Sequence, residues 1–305
     1  MNKKQALKGK IKKQAVWYSF LLVTIVTLIA LTYIPMLTTI KYSFCDVEVL
    51  GFGGSEFIGM QNYETIVHNA AFLKSVGNTL ILAVMSLISI PLGFVLATLI
   101  NNVYWSKAQS FFRVGYYFPN IITGVSVVLI FQVVLKTNGG LLNSALSFLT
   151  GHEISIGWLT DSHYSKFGAT ILNVWSTLGY NMLINLASLQ SVPREIYEAA
   201  EVDGANAFQK WVYITIPQMT SCFVFLFITS VINGLARFTD LFIIGGNTPI
   251  GRPGGTLQTI LMYIYQFSFE TPRYGIASAG AMILFLLTFI VTMVNLKITG
   301  FFKNK

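Results

Sequence analysis

Four carboxylates crowd one polar stretch of an otherwise apolar chain. Ser191–Pro217 reads SVPREIYEAAEVDGANAFQKWVYITIP and carries Glu195, Glu198, Glu201 and Asp203, four of twelve acidic residues, between two long apolar runs. Glutamates three residues apart fall along one side of a helix. So polar an island between apolar runs suits the docking of something soluble. A second pattern lies inside the apolar runs. Asn173, Ser176, Thr177 and Tyr180 are spaced i, i+3, i+4, i+7, and Ser230, Asn233, Gly234 and Arg237 repeat that spacing. Each set shares one helical face. Hydroxyls and amides offer both donors and acceptors, which suits a neutral sugar, and Trp175 and Tyr180 offer flat faces to sugar C–H groups. The same residue types also hold membrane helices together, so each stripe reads either as a substrate path or as a packing seam. Arg237, near the outer end of its run, reads as a substrate contact or as an interfacial or gate residue, with Asp240 one turn on to pair with it. Asn181 and Asn185 lie off the stripe and read as packing.

Other chemistry is missing. The chain has no Gly-x-x-x-x-Gly-Lys-Ser/Thr phosphate loop, and its Gly/Pro-rich GGNTPIGRPGG contains no lysine, so ATP hydrolysis is not expected of it. His68, His152 and His163 are far apart and read as solvated, and no His or Cys spacing suggests a metal. No Gly-x-Ser-x-Gly elbow points to a hydrolase. None of the twelve acids lies in the middle of an apolar run, which argues against a proton- or sodium-driven carrier. Cys45 and Cys222 are expected to be unpaired. No cofactor is expected.

The elements that must position these residues follow from composition. Of 305 residues, 54% are hydrophobic and only 10% charged, against about 25% charged in soluble domains. The chain therefore belongs to the membrane class. Six apolar spans are predicted, at about 16–40, 76–100, 114–135, 167–189, 219–238 and 276–296, the first one uncleaved. Pro91 and Pro119 should kink the second and third spans or mark their starts. Thirteen apolar residues at 257–269 are too few to span and predict a short external or interfacial helix after a Gly/Pro loop, the pair covering 245–270. With both termini in the cytoplasm, the inner segments collect thirteen Lys/Arg and four acids and the outer ones seven and eight, as the positive-inside bias requires. The net charge of +8 is thus assigned to membrane flanks, not to nucleic acid. The expected fold is an all-α, six-span single domain over 1–305, with a cytoplasmic tail at 1–15 and a cytoplasmic loop at 191–217.

Within that loop Ser191 is expected to cap a helix, Pro193 to sit in its first turn, and Gly204 to end it in a left-handed turn. Asn206 then caps a second short helix to about Ile214, and Pro217 opens the next span. Ile196, Ala199, Ala200 and Val202 should pack inward while the acids face the cytoplasm.

EAAEVDGANAFQKWVYITIP resembles the EAA loop of ABC importer permeases, with Glu198, Ala199, Ala200, Gly204, Ile214 and Pro217 at the motif positions and Ile216 where leucine is usual. FIGMQNYETI, NTLILAVMSL, GLLNSAL, LASLQSVPREIYEAAEVDGA and TLQTILMYIYQFSF are similar to carbohydrate-importer permeases of the maltose and glycerol-phosphate type, the first of the paired subunits. The maltose-type member has extra N-terminal spans and a large external insertion that this chain lacks. The resemblance implies a type I importer permease in a prokaryotic cell membrane: half of a translocation path for sugars or oligosaccharides, not itself an enzyme. Its EAA helix would dock on a cytoplasmic ABC ATPase that binds and hydrolyses ATP, with Glu198 and Gly204 central to coupling and Ala199, Ala200 and Asp203 near them. A sibling permease and an extracytoplasmic sugar-binding protein are the other implied partners. Glycerol phosphate or another polar solute is the alternative cargo. An ion-coupled carrier or a membrane-embedded enzyme is the more remote alternative.

Overall fold

The computed structural model describes residues 3–48 and 55–298, so Lys303 and Lys305 of the expected C-terminal tail lie outside the described residues. The chain opens with α1 (Lys3–Leu28), which passes through a π turn at Ile29–Tyr33 into α2 (Ile34–Ser43). A two-residue antiparallel ladder pairs β1 (Cys45–Asp46) with β2 (Glu56–Phe57). Then come α3 (Gln61–Val67), α4 (Ala70–Ser86), α5 (Ser89–Asn101), α6 (Ser106–Ile121), α7 (Gly124–Val134), α8 (Leu141–Thr150) and α9 (Ser165–Ser191). The acidic stretch follows as α10 (Arg194–Val202), α11 (Ala207–Lys210) and α12 (Ile216–Gln218). The chain continues as α13 (Thr220–Leu235), α14 (Thr239–Ile244), α15 (Ile260–Tyr265) and α16 (Tyr274–Ile298).

Among the described residues, the regular structure is all helical apart from that ladder. Four described helical runs are long and apolar enough to cross a membrane: Trp17–Ser43, Ala70–Asn101, Thr220–Ile244 and Tyr274–Lys297. The α6–α7 pair makes a fifth if counted as one span, although it is bent by 101° at its break. The third expected span is therefore not one rod. The break falls at Ile122–Thr123, whose backbones are extended, and not at Pro119, which α6 accommodates. At 27 residues, α9 is about 40 Å long, but it is less apolar than those four because of its Asn, Ser and Thr content.

Pro91 acts where proline chemistry dictates. It cannot donate to the Leu87 carbonyl four residues back, and its ring crowds that carbonyl. The helix parts at Leu87–Ile88, and Ile90 N donates to Leu87 O instead, at 3.0 Å. The core is assembled around α5, α9 and α13, where Phe94, Ala97, Met182, Leu186 and Met219 interlock. A second cluster joins Ile66, Phe72, Ile260, Tyr263, Ile276 and Ala279. Segment 257–269 thus forms a short helix as expected, but Leu257, Ile260 and Met262 are fully buried in protein. Several of its apolar residues pack against α4 and α16, while Phe269 at its end stays exposed. The Trp17–Ser43 run is the opposite case, with its most apolar stretch 0% buried within this chain. Cys45 and Cys222 are both free, and the three histidines are exposed.

Candidate functional site

Two places bring the singled-out residues together: the hairpin of α10–α12, and a polar cavity near the far ends of α9 and α13.

The hairpin is built by local caps. Ser191 does not open α10. Its hydroxyl donates to Ser188 O at 2.7 Å, and it remains the last residue of α9. Proline disfavours helical backbone in the residue before it. Val192 is accordingly extended, and Pro193, at φ −59° and ψ 133°, becomes the N-cap of α10 instead of a first-turn residue. Glu195 lies in the first turn, where the helix dipole favours an anion. At the other end Gly204 adopts φ +79°, which side-chain-bearing residues resist. Ala205 N then reaches Ala200 O at 2.9 Å and Gly204 N reaches Glu201 O at 3.0 Å, the two bonds of a Schellman stop. Asn206 and Gln209 form a reciprocal capping box, Gln209 N to Asn206 Oδ1 at 2.9 Å and Asn206 N to Gln209 Oε1 at 2.8 Å.

Beyond that box the expectation fails. The second helix does not end near Ile214. It runs on through a π turn, Trp211–Thr215, into α12, and only Met219 separates it from α13. Pro217 sits in the first turn of α12, where its missing N–H costs nothing, and does not open α13. Ile214 is half-buried. Tyr197 Oη and Thr215 Oγ1, 3.1 Å apart, tie α10 to the π turn, and an ion pair joins Lys210 to Glu201. A polar cleft of about 650 Å³ separates the hairpin from α5 and α6, lined by Asn101, Asn102, Gln109, Arg194 and Tyr197 among others.

The inward face of α10 is Ile196, Tyr197 and Ala200, all half-buried. Ala199 is exposed, and Val202 is 89% exposed, contrary to the expected inward packing. At 100° per residue Val202 lies with Glu195 and Glu198, on the side away from Ile196. Helix period outweighs residue type here. Phe208 and Tyr213 are also exposed. The outer surface therefore carries Glu195, Glu198 and Asp203 beside Val202, Phe208 and Tyr213, and no described residue covers it.

The cavity, of about 380 Å³, takes in Asn173, Ser176 and Thr177 from α9, Asn120 beside the α6–α7 break, and Phe238, Thr239 and Asp240 from the start of α14. Tyr180, Ser230, Asn233 and Gly234 do not line it. A Cβ on Gly234 would lie 3.0 Å from Ala83 Cα, so this glycine permits the close approach of α13 to α4. Trp175 faces a separate apolar groove between α4 and α9 and lies against Phe131, ring centroids 5.0 Å apart. Asn181 donates to Ser89 Oγ at 2.8 Å and Asn185 to Asn181 O at 2.8 Å, both buried, as the packing reading expects.

Arg237 pairs with Asp240, as its position one turn before that acid suggested. Arg237 is buried behind the cavity wall while Asp240 is part of that wall, and Arg237 Nη2 also donates to Ala169 O of α9 at 3.0 Å. Thr259 Oγ1 donates to Arg237 O at 3.0 Å, adding the segment before α15 to the same junction. Asn120 and Thr239 were missed from sequence because neither shares a helical stripe with the others. The only signal for them is proximity to a break, two helical ends that the fold brings to one wall. Among the described residues, no group of three or more His, Cys, Asp or Glu could hold a metal.

Comparison with known proteins matches residues 89–298 to the family described as "Binding-protein-dependent transport system inner membrane component". The arabinooligosaccharides transport system permease protein AraP of Halalkalibacterium halodurans is 32% identical, over 92% of this chain and 86% of that protein. The probable starch degradation products transport system permease protein AmyD of Thermoanaerobacterium thermosulfurigenes is 31% identical, over 96% and 97%. The multiple sugar-binding transport system permease protein MsmF of Streptococcus mutans is 28% identical, over 94% and 96%. Among solved structures, a bacterial ABC transporter involved in the import of the acidic polysaccharide alginate superposes with a TM-score of 0.80 at 23% identity, over 96% of this chain and 98% of that one. That likeness shows the fold.

Proposed function

The chain belongs to the binding-protein-dependent transport system inner membrane component family, and from that premise we propose that it forms one half of a translocation path for sugars or oligosaccharides. As a family member it is a prokaryotic inner-membrane permease of an ABC importer and not an enzyme. The sugar assignment is carried by one observation: full-length relatives at 28–32% identity are permeases of multiple-sugar, arabinooligosaccharide and starch-product transport.

The α10–α12 hairpin is the ATPase-docking element. Its outer surface offers carboxylates and exposed apolar side chains side by side, which suits a protein groove better than anionic lipid. Glu198, Ala199, Ala200, Asp203 and Gly204 carry the coupling, with Ile214 and Pro217 at the root of the hairpin. ATP is bound and hydrolysed by the partner, so this chain needs no cofactor of its own. A sibling permease supplies the other half of the path, and an extracytoplasmic sugar-binding protein delivers cargo. Six spans with both termini in the cytoplasm put the hairpin on the ATPase side and the Gly/Pro loop outside. Asn173, Ser176 and Thr177 lie on the substrate path.

Affinity purification of the tagged permease from its host tests the coupling. An ATPase bearing a phosphate loop is expected to co-purify, and Glu198→Lys is expected to lower its recovery at least tenfold and to lower sugar uptake with it. Unchanged uptake in that variant would remove the hairpin from the mechanism.

A further inference from the structure

The polar cavity is unequal in what it offers a ligand. Ser176 Oγ donates its hydrogen to Leu172 O at 2.9 Å, and Thr177 Oγ1 donates to Asn173 O at 2.8 Å. A hydroxyl committed in this way turns only lone pairs to the cavity. Asp240 receives both Arg237 contacts on Oδ2. Oδ1 makes no hydrogen bond, on a residue that lines the cavity. Arg237 turns Nε and Nη2 to Asp240 and Ala169 O, its Nη1 is buried without a partner, and no lysine or arginine lines the cavity itself. Asn120 uses its amide nitrogen on Ser176 O, at 3.5 Å, which leaves its carbonyl oxygen free. The free side-chain donors are the Asn173 amide, the second Asn120 N–H and the Thr239 hydroxyl. Among the lining side chains, acceptors, one of them a carboxylate, therefore outnumber donors.

Resting on the sugar-permease reading, we propose that this wall selects uncharged, hydroxyl-donating sugars over sugars bearing carboxylates, and that Asp240 is the specificity-determining residue. Sugar O–H groups donate to Ser176, Thr177, Asn120 and Asp240 Oδ1. The last of these is a charge-assisted bond, stronger than a neutral one. A uronate would instead set its own carboxylate against Asp240 Oδ1, which can offer it no hydrogen, while the Arg237 guanidinium is not among the residues that line the cavity. The chain thus shares a fold with an importer of an acidic polysaccharide while its wall is built for neutral cargo.

The test uses the assembled complex of permease, sibling and ATPase in lipid nanodiscs, without the binding protein, whose own preference would mask the permease. Calorimetric titration compares neutral trisaccharides (maltotriose, arabinotriose, raffinose) with trigalacturonate. The tightest neutral probe is expected to bind wild type at least tenfold more strongly than trigalacturonate. Asp240→Asn is expected to weaken it about tenfold and to narrow the gap, as removal of a charged acceptor predicts. Because that variant also disturbs Arg237, Thr177→Val serves as a second one. It leaves the ion pair intact and is expected to weaken the neutral probe about threefold. Equal affinity of wild type for both classes, an unchanged preference in both variants, or binding of no probe would each overturn the inference. Failure of the permease to assemble with an ATPase, seen before any sugar is added, would overturn the transport reading instead.

Discussion

The hairpin and the cavity sit near opposite ends of the same two helices and are built on opposite terms. The hairpin owes its shape to bonds made within about fifteen consecutive residues, and most of its surface is exposed. The junction behind the cavity draws on residues far apart in the chain: Arg237 bonds Ala169, 68 residues away, and Thr259 bonds Arg237 across 22. A locally capped element can change its outer side chains at little cost to the fold, because nothing in this chain rests on them. The Arg237–Asp240 pair cannot, because the buried guanidinium depends on its carboxylate. The coupling proposed for the hairpin and the integrity of the membrane body would therefore rest on separate residues.

The sharpest challenge to that separation is Arg237→Ala. It leaves the Asp240 carboxylate and Ala169 O without their buried partner and should cost about 2–3 kcal/mol of stability, read as a fall in the thermal unfolding midpoint of the purified permease. A midpoint unchanged by this variant would mean that the junction is not structural. Next comes Gly204→Pro. Proline holds φ near about −65°, incompatible with the +79° found there, so the Schellman stop is lost. Sugar uptake should fall by about a hundredfold or more while membrane insertion and the unfolding midpoint stay within error. A midpoint that fell as far as in Arg237→Ala would erase the distinction. The smallest effect belongs to Asn206→Ala, which removes one half of the capping box and should cost about 1 kcal/mol. Hydrogen exchange over residues 204–210 should quicken about fivefold, with α9 and α13 unaffected.

The same contrast explains what the sequence disclosed. Gly204 and Asn206 could be placed by type alone, since a left-handed stop and a cap depend only on their immediate neighbours. Ser191 could not: it had a carbonyl in reach three residues behind as well as amides ahead, and Pro193 decided the competition by extending Val192. Val202 was misplaced because apolar type was weighted above helical period in a helix of nine residues. The burial of 257–269 depends on which elements surround it, information that lies in α3, α4 and α16. The cavity was half legible. The α9 stripe, Asn173, Ser176 and Thr177, lines it, but Asn120, Thr239 and Asp240 join only because α6 breaks at Ile122 and α13 at Ala236. The matching stripe on α13 lines no part of it, and its Gly234 meets α4 instead.

The Arg237 junction has a mechanical meaning as well. At one end α9 and α13 are joined by the covalent hairpin. Toward the other, the Arg237 guanidinium bonds Ala169 O of α9 and the Asp240 carboxylate together. Two struts fixed at both ends make a closed frame. A push on one end of such a frame does not splay the struts; it swings them together as a rigid body. On the coupling proposed for the hairpin, force applied there would reach Asn173, Ser176 and Thr177 as rotation, with the cavity wall carried along.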